Sequence, residues 1–196
     1  LMKNQIRFKK IIQTALLAAL CFVSFTYLQI KIPVPGGDAT SLHIGNTFCV
    51  LAALLLGGWY GGLAGAIGMT IADLLDPVYI VVAPKTFILK LFMGLITGLI
   101  AHKVAKISES NDSKYIFKWS LISAIGGLAF NVIADPIVGF FYKQYILGQP
   151  QDAAMILAKL SAVATFINAV VSVILVVILY NALRPILKKS GLLLPV

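Results

Sequence analysis

Eleven of the sixteen lysines and arginines fall in three clusters, and this placement constrains the fold more than any single motif. The clusters are Lys3, Arg7, Lys9 and Lys10; Lys103, Lys106, Lys114 and Lys118; and Arg184, Lys188 and Lys189. Each stands at one end of a long apolar stretch. Most of the acidic residues stand near the opposite ends, inside or beside the same stretches. With 60% hydrophobic and only 12% charged residues, the chain reads as an integral membrane protein. Its 196 residues accommodate one bundle of about six apolar helices of ~20 residues each and leave no room for a further soluble domain.

The expected architecture is therefore an all-α integral membrane protein, a single six-helix membrane domain over 1–196. The spans are expected near 11–30, 42–56, 63–75, 84–102, 119–141 and 153–183. The first reads as a retained span rather than a cleaved leader, since no small-residue cleavage site follows it. A sharp turn is expected at 57–62 (GGWYGG), a stop at Asp76-Pro77, and a favourable first-turn proline at Pro84. Six spans put both termini on one side, and the basic clusters make that side the cytoplasm. The net charge of +9 is then a matter of topology, with the lipid bilayer as partner and no call for nucleic acid.

Ionisable groups inside a membrane are costly and point to function. Asp73, Asp76, Lys85, Lys90 and Asp135 all fall in the outer half by this topology. Lys90 is about two turns into its span, too deep to reach the surface easily. Either it faces a ligand, or it locks the bundle through a buried ion pair such as Asp73 with Lys90. Asn131 and Asp135 are four apart on one helical face, and Ser161, Thr165, Asn168 and Ser172 form a polar stripe at helical spacing. His43 and Asn46 open the second span, with a structural and a ligand-facing role both open for the histidine. Cys21 and Cys49 read as packing residues. Segment 31–41 (KIPVPGGDATS), which carries Asp38, reads either as a lid over the outer mouth or as a plain connector. Tyr27, Tyr79, Tyr142 and Tyr145 form an interfacial belt from which one or two could stack on a flat ligand.

No metal-ligand spacing, Walker A segment, nucleophile elbow or triad is present in the sequence, so neither catalysis, nor ATP hydrolysis, nor a cofactor is expected. Small residues give another signal. Ala15 and Ala19 are four apart with Ala18 adjacent, and glycines recur at 58, 61, 62 and 65 and again at 94 and 98. Such seams bring helices close, within the bundle or against another protein.

Taken in order, 42–46 (LHIGN), 61–68 (GGLAGAIG), Ala72-Asp73, Ala83-Pro84-Lys85, Lys90 and 94–98 (GLITG) carry a resemblance. The chain resembles the substrate-binding S components of energy-coupling factor (ECF) vitamin transporters, in the riboflavin-transporter-like branch. That resemblance implies capture of a vitamin from outside a bacterial cell membrane. It implies a transmembrane T component docked on Ala15 and Ala19, two ATPase subunits, and delivery by toppling in the membrane. It also implies a gate in the first loop, over 33–40. Riboflavin-binding relatives place an Asn and a Lys three apart on the last helix, whereas Asn168 here is followed at that spacing by Val171. The expected substrate is therefore a small polar heterocycle, pyridoxine or hydroxymethylpyrimidine. Pantothenate, pairing with Lys85 or Lys90, and riboflavin itself are the alternatives. An ion-coupled secondary transporter using Asp73, Asp135 and Lys90 is the alternative of another class.

Overall fold

The computed structural model describes residues 2–34 and 38–196. Six main helices run α1 (Met2–Tyr27), α2 (Gly45–Leu56), α3 (Gly58–Leu74), α4 (Ala83–Gly98), α5 (Ser113–Phe141) and α6 (Gln151–Lys189). Short tighter or wider turns extend three boundaries: a 3-10 turn at Ile80–Val82, and π-helical turns at Leu99–Val104 and Tyr142–Ile146. Among the described residues, four helical stretches are long and apolar enough to cross a bilayer, namely Asn4–Tyr27, Ile80–Val104, Ser113–Ile146 and Gln151–Lys189. At 12 and 17 residues, α2 and α3 fall short of a full crossing. Apolar side chains such as Leu16, Val163, Phe166 and Ile178 stand exposed on the outside of the bundle, as a lipid-facing surface requires.

The all-α expectation needs one correction. The segment read as a lid or connector is an antiparallel hairpin, β1 (Gln29–Val34) with β2 (Asp38–His43), in register from Gln29 opposite His43 to Val34 opposite Asp38. His43 therefore ends a strand, and the following helix starts only at Gly45. The hairpin tip at 35–37, part of the expected gate, lies outside the described residues, as does the side chain of Asp38.

Local chemistry sets the other boundaries. The break between α2 and α3 is the single residue Gly57, whose φ of 86° is open to glycine but strained for other residues. Gly58 to Gly62, expected as the turn, are already helical. After α3 the Asp76 carboxylate accepts from the Val78 N–H at 3.0 Å, a local turn that prevents the helix continuing into Pro77. Asp112 caps α5 by accepting from the Lys114 N–H at 2.9 Å, so the helix begins before the expected span and carries Lys114 and Lys118 itself.

The N-terminal half of α1 and the segment after α6 meet at the end of the bundle away from the hairpin. The Gln13 side chain donates to the Leu192 carbonyl at 2.8 Å there. Arg184 donates to the Ile107 and Ser110 carbonyls at 3.0 and 2.9 Å and so ties α6 to the connection before α5. Cys21, Cys49 and Met69 bring their sulfurs together, 3.5 Å from Cys49 to each neighbour, where α1, α2 and α3 cross.

Candidate functional site

Beneath the hairpin lies a cavity of about 110 Å³. Its roof is β2, and its walls come from the hairpin-side ends of α1, α3, α4, α5 and α6. The roof is fastened by one residue of α6. Asn168, almost wholly buried, accepts from the His43 backbone N–H and donates to the Ser41 carbonyl, both at 3.0 Å. An amide can do this because it carries an acceptor and donors on one plane, which matches the alternating groups of a strand edge. A second fastening joins the other strand to the rim, where the Lys31 ammonium pairs with the Asp76 carboxylate and lies 5.3 Å from the centre of the Tyr79 ring.

The charged groups inside are arranged by the need to satisfy each in low dielectric. Lys90, 6% exposed, donates to Asn46 Oδ1 at 2.8 Å and to Asn131 Oδ1 at 2.9 Å. Two neutral carbonyls thus hold the ammonium from α2 and α5, and the Asp73–Lys90 ion pair considered from sequence does not form among the described residues. Lys85 instead pairs with Asp135 at 2.9 Å, and the second Asp135 oxygen accepts from Ser161 at 2.5 Å. Asp73 is 2% exposed and lines the cavity, and its buried Oδ2 meets no donor of the chain among the described residues. His43 accepts from the Gly45 N–H through Nδ1 at 3.2 Å, so the N–H of the neutral ring is Nε2. The ring stands edge-on to Phe25 with centroids 4.7 Å apart, and both line the cavity.

Of the residues singled out from sequence, His43, Asp73, Lys85, Lys90, Asp135, Ser161, Thr165 and Asn168 line the cavity. Asn46 and Asn131 stand behind Lys90 and reach the cavity only through it. Asp76 is placed outside, at the rim, holding Lys31 and the turn after α3. Of the four tyrosines only Tyr79 lines the cavity, while Tyr27 and Tyr145 are exposed and Tyr142 donates to the Val81 carbonyl at 2.9 Å. Val171 is 38% exposed and not part of the lining.

Sequence reasoning missed Thr86, Met69 and Lys143, which also line the cavity. Thr86 is readable afterwards, because it lies one helical turn before Lys90 on the same face. Lys143 carried no such signal. A single lysine at the outer end of a span reads as an interfacial anchor. It reaches the cavity from the π-helical turn that extends α5.

The small-residue stripe of α1 divides in two. Ala18 is buried against α3, where a Cβ on Gly68 would come within 2.2 Å of the Ala18 carbonyl oxygen. Ala15 and Ala19 point outward and are exposed. The glycines of α3 and α4 are used internally: Gly58 and Gly62 pack against Gly94 and Gly98 of α4 and their neighbours, while Gly61 and Gly65 pack on α2 and Gly68 on α1.

Comparison with known proteins agrees with this architecture. The family model described as ECF-type riboflavin transporter, S component, matches residues 5–185. An uncharacterized protein in the gap 3′ region of Pyrococcus woesei is 27% identical over 167 residues, covering 85% of this chain and 95% of its own. The solved structure of ThiT from Listeria monocytogenes superposes with a TM-score of 0.61 at 18% identity, over 96% of this chain and 99% of that one, a likeness of fold.

Proposed function

The chain belongs to the family of ECF-type riboflavin transporter S components, and from that premise we propose that its hairpin-roofed cavity captures one small vitamin or vitamin precursor. The observation that carries this reading is the cavity itself. It is polar on several walls, covered by a roof held at two points, and set at the end opposite the basic clusters. With those clusters facing the cytoplasm of a bacterial cell, the cavity opens outward and the hairpin is its gate. Admission of a ligand requires release of the Lys31–Asp76 pair and of the Asn168 fastening, while the helices can stay in place.

The outward face of Ala15 and Ala19 is the surface on which a T component would dock, with two ATPase subunits supplying the energy. The S component then topples to deliver the ligand. Size supports the choice of substrate. A cavity of about 150 Å³ takes a benzene-sized molecule, so at about 110 Å³ even a substituted single ring requires the roof to lift, and three fused rings require far more. Pyridoxine or hydroxymethylpyrimidine fits this description better than the three fused rings of riboflavin. Since Val171 stands outside the lining, volume rather than that position is the stronger argument against the flavin.

Mass spectrometry of the protein purified gently in detergent tests the reading directly. A single-ring vitamin or precursor should accompany it in near-stoichiometric amount. Purification free of any vitamin, together with no binding from a panel of pyridoxine, hydroxymethylpyrimidine, pantothenate and riboflavin, would overturn it.

A further inference from the structure

The polar groups around the cavity differ in one respect that bears on what it accepts. Asp135 has Lys85 and Ser161, and Asp76 has Lys31 and the Val78 N–H. Asp73 has no ion-pair partner although it lines the cavity, and its Oδ2 is buried and meets no donor of the chain among the described residues. A buried carboxylate oxygen left without a donor carries its full desolvation cost. The Lys90 ammonium, also in the lining, has three N–H groups, and Asn46 and Asn131 use two of them. Its carbonyl partners satisfy hydrogen bonds but bring no negative charge.

We propose that Asp73 is the specificity-determining residue of this site: it selects a single-ring nitrogen heterocycle that presents an N–H donor to its carboxylate and an acceptor to Lys90. The proposal rests on the reading of the cavity as a vitamin site and adds the chemical class. The ligand satisfies the oxygen that the fold leaves open, and an N–H donor, neutral or cationic, does so where a methyl group or a second carboxylate does not. A ligand whose main polar group is an anion gains from Lys90 but places its charge against Asp73. Sites with a polar group awaiting a ligand hydrogen bond reject analogues that lack it far more strongly than apolar pockets reject a missing methylene.

The test uses two probes on the full chain in detergent: hydroxymethylpyrimidine bearing its exocyclic amino group, and the same ring with that amino group replaced by methyl. Binding is read by calorimetry for the wild type and for Asp73→Asn. The wild type should prefer the amino probe by at least about tenfold, and Asp73→Asn should reduce that preference severalfold. The wild-type pair needs no variant, so the test stands even where Asp73→Asn lowers the yield of folded protein. Equal affinity of the wild type for both probes, or a preference undiminished in Asp73→Asn, overturns the assignment. Binding of pantothenate or riboflavin with no affinity for the amino probe also overturns it, yet leaves the capture of a vitamin standing. Failure of every vitamin to bind overturns both.

Discussion

The same two helices, α3 and α4, behave in opposite ways at their two ends. Near the basic end they touch through backbone. A Cβ on Gly98 would lie 2.1 Å from the Gly58 nitrogen, and one on Gly94 would lie 2.3 Å from the Gly62 Cα. Near the hairpin end, Met69 and Asp73 of α3 and Thr86 and Lys90 of α4 line the walls of a cavity. In lipid, helices gain little from hiding apolar surface, and close approach of small residues supplies the attraction through dispersion. Side-chain size along one helix pair thus makes a tight base and a hollow top. The contrast teaches where rigidity and ligand space come from in so short a chain.

The contrast can be broken most severely from below. Gly98→Val places a branched side chain where backbone already stands and should cost at or beyond the upper end of the usual ~1–3 kcal/mol for overpacking. Thermal unfolding and size-exclusion profiles in detergent should show a large loss of folded, monodisperse protein. An unchanged melting temperature would show that the seam is not what holds the base together.

An intermediate effect is expected from Lys90→Met, which alters the hollow end and leaves the seam intact. Two amide carbonyls lose their donor, while the cost of enclosing an ammonium without a counter-charge disappears. The net loss of stability should be only about 1 kcal/mol. Ligand affinity, measured by calorimetry on the same preparation, should fall at least about tenfold, since hydrogen bonds to charged groups are worth ~1.5–3 kcal/mol. If affinity survives while the melting temperature drops sharply, Lys90 is a structural bolt and the two ends differ less than their geometry implies.

The smallest effect belongs to the roof. Lys31 is 40% exposed in its pair with Asp76, so Lys31→Ala should change stability by less than about 1 kcal/mol. It should instead speed ligand entry and exit, which stopped-flow fluorescence would resolve. Unaltered rates would mean that the pair does not govern opening.

Much of this was legible in the chain because burial of charge in a membrane is so costly. The gathering of Asp73, Lys85, Lys90 and Asp135 around one cavity follows from counting residues along apolar helices, whereas the same count put Ala15 and Ala19 on one face without saying whether it packs inside the bundle or points outward. Partner choice was not legible. Lys90 is held by amides from two other helices rather than by Asp73, and helical spacing says nothing about which neighbouring helix supplies the partner. The hairpin carried a signal that was passed over, since residues 29–34 (QIKIPV) alternate and lead into Pro-Gly-Gly-Asp. The glycines at 58–62 misled for a physical reason: glycine serves tight turns and close helix contacts alike, and here only Gly57 turns the chain.

The Asn168 fastening has a consequence for descent with modification. It grips only main-chain atoms of β2, at His43 and Ser41, and main-chain atoms are the same whatever residue is inherited. The inward side chains of the roof are therefore released from any duty in holding it shut. An exchange at Ala39, which lies on the same side of the strand as His43, can alter what fits underneath while the latch persists, so a lineage built this way can change what the cavity holds before it changes how the roof is held.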